Sequence, residues 1–246
     1  MKKLDEIHAS DPVNIKRASH LAASPFDFYN VKSYPLPLWK RVMDVCIALL
    51  LIVILSPVFT IISIFIYVLS PGPIFFAQER VGHRGKLFRI YKFRSMHPRN
   101  DTRMHNEYLK NLIQNGGAMA KLNSDPRIIP LGNIIRATAL DELPQLFNVL
   151  KGNMSLVGPR PAITYEVLEY DKRSWARFAC LPGMTGLWQV RGKNRLSFQQ
   201  MIDYDIEYAQ SFSFKLDIEI LIRTPIAIVQ QFYDTFLKKS RIKNDR

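Results

Sequence analysis

The 246-residue sequence is poor in the residues and loops that mark common metal, redox and nucleotide-binding proteins. Its two cysteines, Cys46 and Cys180, are far apart and fit neither a zinc-site spacing nor a CxxC redox motif. The five histidines form no HExxH pattern, and the chain has neither a GxGxxG nor a GxxxxGKS/T loop. These absences argue against a zinc protease, a thiol redox enzyme, a Rossmann domain and a P-loop NTPase. We expect both cysteines to be free thiols in a reducing compartment.

Acidic residues are scarce relative to basic ones, because 21 Asp and Glu face 34 Lys and Arg, a formal net charge of +13. Such a balance favours anionic partners: nucleic acid, acidic lipid headgroups or phosphorylated substrates. A nucleic-acid interface interleaves basic residues with exposed aromatic side chains. The aromatic residues of this chain have the pattern of buried positions instead. We therefore expect no nucleic-acid partner.

One long apolar block runs from Val42 to Leu69. As a straight helix it would be about 42 Å long, which exceeds the ~30 Å hydrocarbon core of a bilayer. Ser56 and Pro57 stand near its middle, where a proline removes a backbone hydrogen bond and kinks a helix. The Ser56 hydroxyl can satisfy a carbonyl that the break frees. A tilted spanning helix and a helix–break–helix hairpin are the two interpretations.

Basic residues on both sides of the block favour the hairpin. Lys40 and Arg41 precede it, and six basic residues between positions 80 and 94 follow it. Positive charge is retained on the cytoplasmic face of a membrane. A re-entrant hairpin over residues 38–70 keeps both flanks on that face, whereas a spanning helix does not. Near its start, we expect Asp44 to pair with Lys40 or Arg41.

The remainder of the chain predicts an α+β fold that is mainly helical. Strands are predicted for Ile74–Val81 and Lys86–Arg94, joined by a turn at Gly82–Gly85. Residues 162–178 are predicted to form an amphipathic surface helix. Residues 216–237 are predicted to form amphipathic helices that lie on a bilayer surface or pack under the hairpin. The predicted fold is a re-entrant membrane hairpin plus a small cytosolic catalytic domain with a β-hairpin and surface amphipathic helices.

Two adjacent carboxylates, Asp141 and Glu142, precede an apolar segment with helical spacing. Pro144 is tolerated only in a first helical turn, so Asp141 is predicted to be the N-cap of this helix. A helix N-terminus favours anions and phosphate groups. Asp141 is therefore either a simple helix cap or a nucleophile or metal ligand with a phosphate beside it, and the local pattern leaves both open.

Several cations and one aromatic residue are further candidates. Arg136 precedes the carboxylates, Arg160 lies between two prolines in Gly158-Pro-Arg-Pro161, and Lys92 projects from the second predicted strand. Each of these cations is suited to binding a phosphate. For Lys92, the alternative is a position on a solvated face. Trp188, Gln189 and Arg191 together suit a nucleotide, through stacking, hydrogen bonding and charge. Core packing of Trp188 is the alternative.

The motifs around these residues occur in a recognisable order. The run from Leu140 to Pro161 (LDELPQLFNVLKGNMSLVGPRP) resembles the core signature of the bacterial sugar transferase family, the monotopic polyprenyl-phosphate phosphoglycosyl transferases. Tyr91–Met96 (YKFRSM), Asp125–Arg127 (DPR) and Pro182–Val190 (PGMTGLWQV) match further blocks of that family. The resemblance covers about residues 38–230. Phe212 and Phe214 depart from it, since tryptophans are usual there.

The resemblance implies a bacterial enzyme on the cytoplasmic face of the inner membrane. Such an enzyme transfers a sugar-1-phosphate from a UDP-sugar to polyprenyl (undecaprenyl) phosphate, in the initiating step of cell-surface polysaccharide synthesis. The resemblance assigns the nucleophile to Asp141 and implies a covalent aspartyl-phosphosugar intermediate. Mg²⁺ is the expected cofactor, with Asp141 and Glu142 as its nearest ligands. Family members differ in the sugar that they carry.

The resulting organisation is an N-terminal tail (1–37), a membrane hairpin (38–70), a catalytic domain (71–237) and a basic tail (238–246). A short helix is predicted near 106–114, and the basic tail is predicted to touch anionic lipid headgroups. Association of several copies stays open. Two rivals are a basic membrane scaffold, which needs no role for Asp141, and a Mg²⁺-dependent hydrolase of nucleotide diphosphate sugars.

Overall fold

A computed structural model of the protein describes residues 32–97 and 127–244. Most of the predicted N-terminal tail, the helix predicted near 106–114 and the motif residue Asp125 lie outside the described residues. The side chains of the predicted basic tail lie outside them as well. The described part is mixed and mainly helical, as the sequence predicted.

The long apolar block forms two helices, α1 (Leu38–Ile54) and α2 (Ser56–Leu69), bent by 61° at a one-residue break. Pro57 lies in the first turn of α2, where its missing N–H disrupts least. The Ser56 hydroxyl donates to the Val53 carbonyl at 2.8 Å, so the predicted break and the predicted rescue of a freed carbonyl are both confirmed. Within the described residues, only this bent pair, and no one helix alone, has the length and apolarity to cross a bilayer.

The two helices of the hairpin leave a broad apolar surface uncovered. Its exposed side chains are Leu38, Val42, Leu49, Leu50, Val53, Ile54, Ile61, Ile64, Phe65, Tyr67 and Val68. Only a narrow stripe, including Ala48, Ile62 and Ile66, is buried against the rest of the protein. Contiguous exposed apolar surface of this extent is typical of a membrane contact.

The two ends of the hairpin meet on one side of the molecule. Ser33, which precedes α1, hydrogen-bonds through its hydroxyl with the His83 ring at 3.0 Å, well after α2. The Tyr34 amide donates to the Ala179 carbonyl at 2.9 Å. After α2, the Arg94 guanidinium donates to the carbonyls of Ser70 and Pro71.

A buried ion pair fixes the start of α1 to the remainder of the fold. The Lys40 ammonium is 2% exposed and forms an ion pair with Asp217, which is 0% exposed. Lys40 also donates to the Val157 carbonyl and the Tyr208 hydroxyl, each at 3.0 Å. The Tyr208 hydroxyl donates to the other carboxylate oxygen of Asp217, at 2.6 Å. One lysine thereby joins three distant parts of the chain.

Asp44 forms neither of the pairs predicted from the sequence, with Lys40 or with Arg41, and Lys40 pairs with Asp217 instead. The Asp44 carboxylate is fully buried and accepts from the Ser155 hydroxyl at 3.0 Å and the Leu156 amide at 2.9 Å. Arg41 instead donates to the carbonyls of Val149 and Leu150, at 2.6 and 2.7 Å. The prediction was wrong because α1 packs on the catalytic domain, which offers these polar groups better partners than each other.

The predicted β-hairpin is confirmed as strands β1 (Phe75–Val81) and β2 (Leu87–Phe93), which pair in antiparallel register. Phe76 lies opposite Lys92, and Arg80 lies opposite Phe88. A two-residue strand, Ala162–Ile163, adds to the other edge of β1.

Residues 162–178 do not form the surface helix predicted from the sequence. They contain a strand, a short helix and a 3₁₀ turn, and Trp175, Arg177 and Phe178 are buried. Residues 216–237 belong to one long helix rather than several, with Pro225 inside it. The further elements are α3 (Gly132–Ala137), α4 (Gln145–Leu150), β3 (Ser155–Val157), β4 (Ala162–Ile163), α5 (Thr164–Val167), β5 (Gly183–Thr185), α6 (Leu187–Arg191), α7 (Phe198–Ser211) and α8 (Phe214–Asn244).

Candidate active site

The two adjacent carboxylates lie on a 3₁₀ turn, Leu140–Glu142, and not at a helix cap. Helix α4 begins only at Gln145 and has just six residues, with Pro144 at its N-cap position. The N-cap role predicted for Asp141 is therefore wrong. Ala139 enters the turn with φ = 56°, a left-handed conformation that costs a non-glycine residue energy and is held by the surrounding packing.

That packing comes directly from the apolar hairpin of α1 and α2. Leu140 and Leu143, on either side of the carboxylates, belong to an apolar cluster with Ile62 and Ile66 of α2. The Phe59 ring of α2 meets the Phe147 ring of α4 edge-on, with centroids 6.1 Å apart. The turn that carries Asp141 and Glu142 thus rests against the hairpin. Asp141 is 7% exposed.

Strand β2 is the second support of this turn. The Lys92 ammonium lies 2.8 Å from a Glu142 carboxylate oxygen, so the structure brings together two residues that the sequence singled out separately. Asn148 of α4 bonds along the strand edge: its amide oxygen accepts from Tyr91 N–H at 3.0 Å, and its NH₂ donates to the Arg89 carbonyl at 2.7 Å. Asn148 therefore sets the position of α4 relative to Lys92.

Two cations near the carboxylates were missed by the sequence analysis. Lys193 interacts electrostatically with Glu142, Asp141 and Lys92; burial lowers the pKa of its ammonium, and the two carboxylates oppose that shift. Burial lowers the pKa of Arg80 to about 10, with the charge of Arg160 adding to the effect and that of Glu142 opposing it. Together with Lys92, these side chains make the surroundings of Glu142 strongly positive.

Each missed cation had a weak signal in the sequence. Arg80 shares a strand face with Lys92, which the hairpin register makes evident once its turn is fixed. Lys193 follows Gly192 immediately after a motif block, and it adopts φ = 45°. A glycine–lysine step at the end of a helix indicates a reversal of the chain. It does not show which part of the fold the following loop approaches.

Arg160 binds a carboxylate partner of its own. Its guanidinium donates to both carboxylate oxygens of Glu166, at 2.8 to 3.1 Å, and its side chain is 20% exposed. The Glu166 carboxylate also accepts from the Ile163 amide. Next to this pair, the buried Arg177 pairs with Asp205 and donates to the Arg160 carbonyl. A phosphate that binds Arg160 has to compete with Glu166.

The three residues predicted to hold a nucleotide point to different surroundings. Trp188 is buried in an apolar cluster with Trp175 and Phe178, so its ring offers no open face for stacking. Arg191 lies at the surface, where it pairs with Glu207 at 3.0 Å. Gln189 is half-buried beside Gly186. The alternative that Trp188 packs the core is the one that the structure favours.

Arg136 lies in the last turn of α3, five residues before Asp141. Its carbonyl accepts from the Gln231 side chain at 3.2 Å, which ties α3 to helix α8. This hydrogen bond and the apolar cluster hold α3 next to the 3₁₀ turn of the two carboxylates, hereafter the catalytic turn. The Arg136 side chain is half-buried.

The donor set around the turn fits a magnesium ion that is shared with a substrate. Mg²⁺ in phosphoryl-transfer sites is held by one or two carboxylates, while phosphate oxygens and waters complete its octahedron. Asp141 and Glu142 provide two carboxylates on consecutive residues. Within residues 32–97 and 127–244 there is no group of three or more His, Cys, Asp or Glu side chains suited to a metal.

Comparisons with known proteins agree with the geometry. The family model described as "Bacterial sugar transferase" matches residues 36–231. The chain is 34% identical over 219 residues to the exopolysaccharide production protein ExoY of Rhizobium meliloti (strain 1021), covering 87% of this chain and 97% of that protein. It is 40% identical over 204 residues to the UDP-glucose:undecaprenyl-phosphate glucose-1-phosphate transferase of Caulobacter vibrioides, covering 77% and 71%.

A longer relative extends beyond the shared region. The undecaprenyl-phosphate galactose phosphotransferase of Salmonella typhimurium is 39% identical over 202 residues, which are 78% of this chain but 40% of that protein. The similarity therefore concerns the part of that protein that corresponds to the hairpin and the catalytic domain.

The Arg160–Glu166 pair predicts a pH-dependent stability. Burial acts to raise the pKa of Glu166, but the charge and hydrogen bonds of Arg160 outweigh it, so the pKa lies below 4.5. The stabilisation is then present above pH 4.5 and is lost as the pH falls through the lower folded pKa. Glu166→Gln should cost about 3–5 kcal/mol at pH 7, seen as a lower Tm of the detergent-solubilised protein.

The difference in Tm between wild type and Glu166→Gln should shrink below pH 4.5, because the unfolded chain then binds a proton at Glu166 that the folded protein takes up only at its lower pKa. Glu207→Gln is the matched control, since its partner Arg191 is exposed and such pairs contribute less than about 1 kcal/mol. A Tm difference for Glu166→Gln that stays constant from pH 7 to pH 3 would contradict the assignment.

Proposed function

Because the chain belongs to the bacterial sugar transferase family, we propose that it transfers a sugar-1-phosphate from a UDP-sugar to polyprenyl phosphate. The products are UMP and a polyprenyl diphosphate-sugar, as in the first step of cell-surface polysaccharide synthesis. One observation carries the proposal: two carboxylates stand on a turn that packs against an apolar hairpin and is surrounded by cations. A reaction between a soluble nucleotide sugar and a lipid phosphate needs this combination.

The reaction proceeds in two displacements at one phosphorus atom. A carboxylate oxygen of Asp141 forms a bond to the phosphorus nearest the sugar, and the bond from that phosphorus to the UMP oxygen breaks, with UMP leaving as the anion. A phosphate oxygen of the polyprenyl phosphate then attacks the same phosphorus. The Asp141 carboxylate leaves and is regenerated. Because Asp141 is 7% exposed, its surroundings limit the access of water to the intermediate.

The neighbouring cations stabilise the charge that builds on the phosphate oxygens. Lys92 and Lys193 flank the two carboxylates, and Arg136 lies in the last turn of α3, five residues before Asp141. Positively charged donors near a transferring phosphoryl group favour its transition state most strongly where water is excluded. Arg160 acts chiefly by holding the loop at Pro159–Pro161 through Glu166, and Trp188 supports the core behind the site.

Asp141 and Glu142 are the residues that would hold Mg²⁺ together with the substrate diphosphate. The ion supplies positive charge that neutralises the diphosphate and favours the departure of UMP. Lys92 contacts a Glu142 carboxylate oxygen at 2.8 Å, so its ammonium would lie beside the ion and the diphosphate.

The hairpin is proposed to enter and leave the cytoplasmic face of the inner membrane. The Ser33–His83 contact supports this, because it joins the segments before and after the hairpin. Exposed basic residues at these segments, namely Lys32, Arg84, Lys86 and Arg89, suit anionic lipid headgroups. The chemistry then occurs where both substrates are available.

Asp141→Asn tests the nucleophile. The variant keeps the shape of the side chain but removes the charge, so it should lose both product formation and covalent labelling by a nucleotide sugar, by at least about 10³-fold. The assay follows UMP release and labelled protein with purified enzyme, Mg²⁺, polyprenyl phosphate and a panel of UDP-sugars. Retained labelling would exclude Asp141.

The same assay separates a transferase from a hydrolase. A transferase without lipid phosphate releases at most about one UMP per enzyme and then stops, because Asp141 stays modified. Continued release at the full rate without acceptor would favour hydrolysis of nucleotide diphosphate sugars.

Lys193→Met tests the cation that the sequence did not reveal. Loss of a charge-assisted contact to phosphate costs about 1.5–3 kcal/mol, so kcat/KM for the UDP-sugar should fall roughly 10- to 100-fold. Arg195→Met, two residues later, is the control, because Arg195 pairs with Asp234 at the surface. Equal activities of the two variants would remove Lys193 from the site.

Single cysteines test the hairpin in a Cys46→Ala background. Lys32→Cys and Lys86→Cys, both at exposed positions before and after the hairpin, should react with a membrane-impermeant maleimide only from the cytoplasmic side. Cys180 is buried and should not react with the maleimide. Labelling of Lys32→Cys from outside intact cells would show a spanning helix instead.

A further inference from the structure

Two consecutive phenylalanines on β1 have the same exposure but different surroundings. Phe75 is 48% exposed and Phe76 is 47% exposed. The Phe75 ring stacks on the Phe93 ring, with centroids 5.4 Å apart, and so belongs to the face that packs on the hairpin. Since side chains alternate along a strand, Phe76 lies on the opposite face.

The face that carries Phe76 is the face of the active-site cations. Phe76 pairs directly with Lys92 across the two strands, and such pairs have Cβ atoms about 4.5–5.5 Å apart. Arg80 lies on the same face of β1, four residues further, and donates to Gln78 at 2.7 Å. Lys92 in turn reaches Glu142. A large exposed apolar ring therefore stands beside the ammonium that contacts the catalytic turn.

The Phe76–Lys92 pair also lies at the end of the sheet nearest the hairpin. Arg94, two residues beyond Lys92, donates to the carbonyls of Ser70 and Pro71, which directly follow α2. The Arg94 amide donates to the Ile74 carbonyl at 2.9 Å. These bonds connect the end of the sheet that carries the pair to the point at which the chain leaves the hairpin.

We propose that Phe76 and Lys92 form the site that receives the lipid acceptor, with the isoprene units nearest the phosphate on Phe76 and the phosphate on Lys92. The inference rests on the proposed function and extends it. An isoprenyl phosphate is an anion attached to a branched apolar chain, and this pair offers a cation beside an apolar ring at the hairpin junction. A UDP-sugar has no apolar chain, so Phe76 distinguishes the acceptor from the donor.

Phe76→Ser removes the apolar ring, and kinetics with undecaprenyl phosphate and a UDP-sugar measure the effect. The KM for the lipid acceptor should rise about tenfold, equivalent to about 1.4 kcal/mol. The KM for the UDP-sugar and the release of UMP without acceptor should not change, because the first displacement does not involve the lipid. Phe76→Leu, which keeps an apolar side chain, should recover most of the acceptor affinity.

Leu87→Ser is the control for general loss of exposed apolar surface. Leu87 is 51% exposed, lies opposite Val81 at the far end of the sheet and belongs to the other face. It should leave both KM values unchanged. Flotation of each protein with vesicles of phosphatidylglycerol and phosphatidylethanolamine measures membrane binding separately.

Three results overturn the acceptor site. The first is an unchanged KM for undecaprenyl phosphate in Phe76→Ser, and the second is an equal rise in the KM for both substrates. The third is a loss of vesicle binding that accounts for the change, since Phe76 would then contact bilayer lipid instead. A wild-type protein that releases no UMP from any UDP-sugar overturns the proposed function itself, and the acceptor site with it.

Discussion

A buried ion pair lies at the boundary between the apolar hairpin and the polar domain, and it fixes where several elements of the fold meet. Lys40 and Asp217 are almost wholly excluded from solvent, and a charge in such a place is strongly unfavourable unless it is paired and hydrogen-bonded. Tyr208 and the Val157 carbonyl complete the partners of Lys40, so α1, β3, α7 and the start of α8 have to meet at one point. The hairpin is therefore a fixed part of the catalytic domain. Its apolar surface and the catalytic turn keep a constant geometry relative to each other.

The position of the catalytic turn depends on this packing of the hairpin against the domain. The hairpin supplies apolar packing to Leu140 and Leu143, and Asn148 aligns α4 with the edge of β2. Lys92 then reaches Glu142 from that strand. Carboxylates and cations from distant parts of the chain thus converge without a long helix N-terminus or a glycine-rich loop. Such preorganised charge is what phosphoryl transfer needs, because little covalent work falls to the protein beyond the nucleophile.

The sequence predicted those features that depend on local chemistry. Pro57 determined the break in the hairpin, and alternating side chains determined both strands of the β-hairpin. The family motifs singled out Asp141, Glu142 and Lys92, although only the strand register and the fold show that Lys92 meets Glu142. Features set by long-range packing were not predictable. The turn that carries Asp141 packs against the hairpin through its neighbours, Trp175 and Phe178 are buried against α7, and Glu166 binds Arg160. Almost nothing in the local sequence indicated Lys193, because the position of its loop depends on contacts with residues far away in the chain.

The contacts of Arg41 bear on attempts to make this protein easier to handle. Its guanidinium binds the last carbonyls of α4, at Val149 and Leu150, where a helix end carries partial negative charge. Asp44, one turn later, accepts two hydrogen bonds from the start of β3. Deleting the hairpin would strip α4 of this cap and leave Asp217 without its counter-ion. A different apolar segment in its place would not restore these bonds, so the hairpin and the catalytic domain can only be engineered as one piece.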